Sequence, residues 1–329
     1  MIVEYVALAE PVGSEMLASK YEFGVRSATI RNELAELAEH GYLEQPHTSA
    51  GRIPSDQGYR YYVDHMVVRH NPETPTRQQV KGAADDGDAL GELLRGTTKV
   101  LSRLTQLLAA ATILPDKRLV VRNAVVTALG PERLLLVIVL NNGHVENRLI
   151  ECPKDVTLNE IGRANEILGH LVANHSVRAL TRLKTPATTE SPSLNRLLTG
   201  IVSAIRQIGR DLGKANLILE GEEFILSQPE LRRNLAVFEQ LIDSLQDEES
   251  IVAALASPVD AEQTVTIGKE HPTEKLQPFS IVKQSFFVGE DEAGTLAVIG
   301  PTRMNYDSSI SLLDFTAKAI SETLTKLMK

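Results

Sequence analysis

One cysteine, Cys152, is all that 329 residues contain, which rules out an intramolecular disulfide and any cysteine metal cluster. Tryptophan is absent and aromatics make up only 4% of the chain, which suggests low stability. Long apolar runs are missing too. The longest, Leu134 to Leu140, is closed off by Arg133 and Asn141 and falls far short of the roughly 20 residues a membrane helix needs. The start, MIVEYVALAE, has no basic segment before an apolar one, so no signal peptide is expected. These absences together predict a cytoplasmic protein with no membrane partner.

Catalytic signatures are missing as well. There is no GxGxxG, P-loop, HExxH or GxSxG motif. The eight histidines are scattered. His170 and His175 fall on different helix faces and read as solvated or capping residues. No enzyme, metal or cofactor is expected. The net charge of −9 argues against a generic nucleic-acid coat.

What remains is a chain with 43% hydrophobic and 23% charged residues, enough for a proper core and long enough for two or three domains. Val12 to Asp64 stands out as a winged helix-turn-helix. SEMLASK gives a short first helix, and Tyr21 to Arg26, with Gly24 in the middle, gives the turn. Ser27 is expected as the N-cap of a second helix from about Ala28 to His40, stopped by Gly41. Ile30, Leu34 and Leu37 share its apolar face. Ala28, Thr29, Arg31, Asn32 and Ala35 lie opposite. Small residues there allow close approach to base-pair edges, and Arg and Asn match guanine and adenine in the major groove. From the helix pattern alone, a solvated face explains Arg31 and Asn32 equally well. The next segment favours DNA: Tyr42, Leu43, Gly51, Arg52 and Ile53 form two short strands around a polar tip, EQPHTSAGR, which reads as a wing. The first 70 residues carry six lysines and arginines against ten carboxylates. Since recognition helices touch bases mostly with their N-terminal half, Glu36 and Glu39 lie away from the contact. Arg26, Arg31 and Arg52 then make one local positive face.

Before this stretch, Met1 to Ala9 is an apolar helix with Ile2, Val3, Val6 and Ala7 inward. After it, Tyr59, Tyr61 and Tyr62 read as an exit helix packed on the winged domain. His70 to Asp88 reads as a linker interrupted by a short helix. Ala89 to Ile113 reads as one long amphipathic helix. Its Leu90, Leu94, Thr97, Leu101, Leu104 and Leu108 form either a coiled-coil seam or plain core packing. Arg118 to Glu151 predicts a three-stranded antiparallel meander with turns at Gly130-Pro131 and Asn141-Asn142-Gly143. Helices follow at about Leu158–Asn174, Ser191–Lys214, from Pro229 (with Leu231, Leu235, Phe238, Leu241 and Leu245) and Glu248–Leu255. Thr264–Gly268, Ser280–Val288 and Thr295–Gly300 read as strands, and Ser309–Met328 as a closing helix. Cys152 reads as a small buried hydrophobe, and Arg303 as a residue that holds a domain contact.

EPVGS, SATIRNELAELAEHGYLEQPHTSAGRIP, GYRYYVD, VTIG and GPTRMNY resemble the heat-inducible transcription repressors of bacteria, the HrcA family. The resemblance is most specific at PHTSAGRIP and GPTRM. It implies a fuller first helix than this chain has, so the chain is expected to begin partway through that helix. It also implies an α+β fold: an N-terminal winged helix-turn-helix at 1–70, a linker and the first helix of a GAF-like sensor-type domain at 71–114, an inserted α+β dimerisation domain with a three-stranded antiparallel sheet at 115–213, and the remainder of the GAF-like domain at 214–329. With the helix and wing pattern, it assigns DNA contact to Ser27, Thr29, Arg31, Asn32, His47, Thr48, Ser49 and Arg52. The expected function is repression of chaperone genes by a homodimer on an inverted-repeat operator of double-stranded DNA. The resemblance adds dependence on the chaperonin. The competing reading is a small-molecule sensor whose winged domain mediates protein contacts.

Overall fold

The computed structural model describes residues 1–47, 50–85, 90–115, 118–130, 132–229, 239, 243, 247–256 and 264–327. Helices mix with antiparallel sheets. Two compact units divide the chain: residues 1–113 with 217–329, and residues 114–216.

The first unit begins with α1 (Ile2–Leu8), α2 (Ser14–Lys20) and α3 (Ser27–Glu39). A short ribbon, β1 (Leu43–Glu44) and β2 (Ile53–Pro54), follows, and then α4 (Asp56–His65). Val12, Leu17, Ile30, Leu34 and Leu43 form a small core under these elements. In α1 the burial departs from the apolar pattern. Val3 is 59% exposed, Ala7 also faces out, and Glu4 is buried. Lys20 Nζ donates to the Glu4 carboxylate at 2.7 Å, and the Tyr21 hydroxyl donates to it as well. A buried carboxylate is tolerable only with such partners; they hold its pKa below the usual range.

Ser55 caps α4, its hydroxyl accepting from Gly58 N at 3.0 Å. The tyrosines of this helix do not share one role. Tyr61 stays exposed, stacked on His65. Tyr59 enters the main core of the unit and lies beside Tyr306, ring centroids 5.8 Å apart. Tyr62 donates to Asp307. The exit helix is therefore anchored to the body that follows it, not only to the small N-terminal core.

Where a linker interrupted by a short helix was expected, the helix, α5 (Thr74–Asp85), packs Val80 and Ala84 fully into the core, so the segment is part of the body and not a linker. The expected long helix is shorter: α6 (Leu90–Thr105) ends before Gln106, whose φ is +56°, and Leu108–Ile113 is strand β3. Leu93, Leu94, Thr97 and Leu101 of α6 are buried within the unit. Of the two readings of this helix, core packing holds.

The second unit is the predicted meander with its helices. Strands β4 (Val121–Gly130), β5 (Arg133–Leu140) and β6 (Val145–Glu151) pair antiparallel in that order. Helices α7 (Leu158–Val172), α8 (Val177–Leu180) and α9 (Pro192–Leu212) follow. A capping box of Thr157 and Glu160 starts α7. Leu134, Leu136, Ile138, Leu168, Ile201 and Ile205 fill the core. The Asn165 side chain accepts from Val126 N at 2.7 Å and donates to Val126 O at 2.8 Å, which satisfies the outward backbone groups of β4 at that position. Cys152 is buried after β6, and burial raises its thiol pKa. Pro131 of the first expected turn lies outside the described residues. Gly143 of the second adopts φ +86°.

The first unit resumes with β7 (Asn216–Glu220) and α10 (Glu222–Leu226), both absent from the sequence expectation. The expected helix carrying Leu231, Leu235, Phe238, Leu241 and Leu245 lies outside the described residues. Then come α11 (Glu248–Ala256), β8 (Val265–Ile267), β9 (Phe279–Val288), β10 (Asp291–Pro301) and α12 (Tyr306–Leu327). The sheet order is β7-β3-β10-β9-β8. One face packs Phe286, Leu296 and Val298 with Leu93, Leu101 and Leu313. The other packs Phe279, Ile281 and Ala297 with Ile225 and Ile251. Among the described residues no helix is long and apolar enough to cross a membrane.

Candidate nucleic-acid interface

Helix α3 is held by Ile30 and Leu34, which point into the small N-terminal core, with Ala38 partly buried against it. Leu37, expected on that face, is 42% exposed. Seven residues at 3.6 per turn fall slightly short of two full turns, and Ala38 takes the inward position instead. Arg26, in extended backbone, occupies the N-cap without a side-chain cap bond, and Ser27 is the first helical residue. The expected capping role of Ser27 is thus corrected by one position. Gly41 stops the helix in the left-handed region at φ +81°.

The exposed side of the first turns carries Ala28, Thr29, Arg31 and Asn32; Ser27 is partly buried. His47 is exposed in the loop between β1 and β2, while Thr48 and Ser49 lie outside the described residues. Arg52 is partly buried just before β2. Its backbone pairs with Val12 in both directions at 2.9 Å, extending the ribbon to a third segment. Gly51 makes this possible: a Cβ there would lie 2.4 Å from the Val12 carbonyl carbon. Arg52 Nε is buried with no hydrogen-bond partner among the described residues.

A cleft of about 470 Å³ opens between the start of α2, α3 and the ribbon. Arg31 and Arg52 both line it, together with Glu15 and Gln45. Ser27, Thr29, Asn32 and His47 are not among its lining residues. The expected contact residues therefore divide into an arginine pair in a cleft and a set on the open helix face and ribbon tip. Glu15 and Gln45 are additions. Gln45 sits inside the polar tip segment, but nothing in the local pattern of Glu15 links it to Arg52. Among the described residues no group of three or more histidine, cysteine or carboxylate side chains is placed to hold a metal ion.

Several bonds fix this N-terminal region to the rest of the unit. Arg60 Nε donates to Glu270 at 2.8 Å and Arg60 Nη2 to the Val265 carbonyl at 2.8 Å. Lys269 N donates to Asp56 at 2.9 Å. Arg303 donates to the Val6 carbonyl of α1 at 3.1 Å and to Gln228 at 2.9 Å.

The family model described as the HrcA protein C terminal domain matches residues 91–310. The heat-inducible transcription repressor HrcA of Symbiobacterium thermophilum is 36% identical over 328 residues, 98% of this chain and 95% of the relative. The protein of the same name from Carboxydothermus hydrogenoformans is 32% identical over 326 residues, again 98% and 95% of the two chains. A crystal structure of a hypothetical protein shares the fold, with a TM-score of 0.58 at 22% identity, covering 99% of this chain and 96% of that one. With a family model matching well over half its length and relatives above 30% identity end to end, the chain belongs to the HrcA family of heat-inducible transcription repressors, which are regulators and not enzymes.

Proposed function

We propose that this repressor acts in the cytoplasm as a homodimer that binds an inverted-repeat operator through two winged helix-turn-helix domains. The observation that carries the reading is the exposed N-terminal face of α3, with Thr29, Arg31 and Asn32 beside a ribbon bearing His47 and Arg52. A helix presenting small residues, Asn and Arg suits the major groove, and the ribbon suits adjacent backbone or minor groove. Ser27, Thr48 and Ser49 complete the proposed contact set. Residues 1–70 form the winged domain. Residues 71–114 and 214–329 form a GAF-like domain, a reading supported by the five-stranded sheet with helices on both faces. Residues 115–213 form an inserted dimerisation domain, supported by the separate compactness of residues 114–216.

One winged domain contacts few phosphates, so dimerisation multiplies the contacts and sets the repeat symmetry. The meander offers the surface for it. Its helices cover one face. On the other, the register aligns Leu135 with Leu149, Val137 with Val125, and Val139 with Val145. Leu149 is 60% exposed and Val145 49%. Contiguous apolar area of this kind marks an interaction site.

The operator is proposed to precede chaperone genes, with the chaperonin as the partner that brings the repressor to its active state. A gel shift at two salt concentrations tests the core of the reading. Wild type should prefer the inverted repeat to random DNA. Asn32→Ala should lose about 1–3 kcal/mol of that preference per half-site, the worth of one bidentate base contact. An unchanged specificity ratio would remove α3 from the interface. Absence of DNA binding would favour a sensor whose N-terminal domain contacts protein.

A further inference from the structure

We infer that the cleft between α2, α3 and the ribbon is a seat for one backbone phosphate of DNA, held jointly by Arg31 and Arg52. The inference rests on the DNA-binding reading above and changes the role of Arg31 within it, from base reader to phosphate ligand.

Three observations carry it. First, Arg31 and Arg52 come from different elements yet line one concavity of about 470 Å³. A guanidinium fork set in a cleft reaches a group that enters the cleft, while base edges are met on the open helix face where Asn32 stands. Second, Arg52 Nε is buried and lacks an acceptor among the described residues. A buried donor of this kind calls for an oxygen, and a phosphate offers several to two arginines at once. Third, the carboxylate in the cleft, Glu15, forms no ion pair with either arginine among the described residues. The arginines stay available, and Glu15 adds one negative charge that opposes the phosphate. Gln45 offers a neutral amide on the same wall, itself donating to Ala50 O at 3.3 Å.

The result is a division of labour. Asn32 discriminates sequence. The arginine pair sets register and affinity without reading bases. Glu15 keeps binding weak on unmatched DNA, which suits a protein of net charge −9 that must leave non-cognate sites.

The test is a set of binding titrations across salt concentrations with a cognate inverted repeat and a scrambled duplex. Arg31→Ala should weaken binding to both duplexes by the same factor. It should also reduce the slope of log affinity against log salt by about 0.9 for each phosphate no longer neutralised. Arg52→Lys, which keeps the charge but loses the guanidinium fork, should weaken both duplexes to a smaller extent and leave the salt slope near that of wild type. Arg31→Ala with Arg52→Ala should cost less than the product of the single losses, because both hold one group. Glu15→Gln should tighten both duplexes. A repeat with a neutral methylphosphonate at the contacted position of each half-site should bind wild type as weakly as Arg31→Ala binds the unmodified repeat. If Arg31→Ala instead lowers only the cognate preference and leaves the salt slope intact, Arg31 reads a base and the phosphate seat is overturned. If wild type binds neither duplex, the DNA-binding reading itself fails, a distinguishable result.

Discussion

At residue scale, Glu160 shows how a surface carboxylate becomes structural. The hydroxyls of Ser191 and Ser193 donate to it at 2.5 Å, and Thr157 N donates at 2.8 Å. Those bonds, the serines first, hold its pKa at about 2 against an ordinary 4.5. A depressed folded-state pKa gives stability that is full above the unfolded value and fades as pH falls through the folded one. Thermal melts stepped from pH 4.5 to about 2 should therefore show a falling transition in wild type. In Glu160→Gln the neutral-pH transition should be lower and the acid limb flatter; an identical acid limb would show that these bonds do not matter to folding. Single residues of α3 were only partly legible in the sequence. Ile30 and Leu34 follow from spacing, but Leu37 and Ala38 differ by one position on the edge of the apolar stripe, where size does not predict direction. The Arg31–Arg52 cleft was not legible, because three separated segments build it and tertiary contacts bring them together: the Val12–Arg52 bridge and the small core of Val12, Leu17, Ile30, Leu34 and Leu43.

At the scale of elements, the meander, most helices and the last strands were legible because each has a clear period or a turn signal. The failure came at Leu107–Ile113. A strand buried on both faces shows no alternation, and its alanines favour helix as a local preference, so the run reads as a continuation of α6. Strand β3 instead sends Leu108 and Ala110 to one core and Ala109 and Ala111 to the other. The short helix expected within the linker is α5, but its packing into the core was hidden by Pro72, Pro75, Gly82 and Gly87, with only Val80 and Ala84 to mark its inner face. Assigning α6 to the core has a testable outcome. Leu101→Ala should destabilise the protein by about 2–5 kcal/mol in denaturant titration, the usual cost of a core cavity, with no change in sedimentation of the folded protein. A shift to monomer without a stability loss would restore the coiled-coil reading. The reverse pattern is expected for the bare face of the meander. Leu149→Lys should leave folding near wild type yet yield monomers that no longer hold the inverted repeat at nanomolar concentration. A wild-type protein that sediments as a monomer at micromolar concentration would rule out this interface.

For the whole molecule, the proposed heat response rests on marginal stability. Domains of this size lie only about 5–15 kcal/mol above unfolding, so a modest deficit leaves an inactive fraction. A chain without tryptophan and with 4% aromatics suits such a deficit. In the proposed scheme, stress fills the chaperonin with other unfolded chains, less repressor is refolded, and the operator is vacated. If, as proposed, operator DNA binds only the folded dimer, it should stabilise the repressor by mass action. Chaperonin with ATP should raise the DNA-binding fraction of purified repressor, and excess unfolded competitor should abolish the gain. A purified repressor that is fully active and unchanged by heating alone would exclude this titration. The bond from Arg303 to the Val6 carbonyl has a consequence of its own for sequence drift. The acceptor belongs to the main chain, so no side-chain replacement at position 6 deletes it. Position 6 is thus free to vary among apolar residues, while Arg303 has no substitute that reaches both that carbonyl and Gln228. The arginine registers where α1 is, not what it is made of, so random substitution in the first helix leaves the attachment intact until the helix itself is lost.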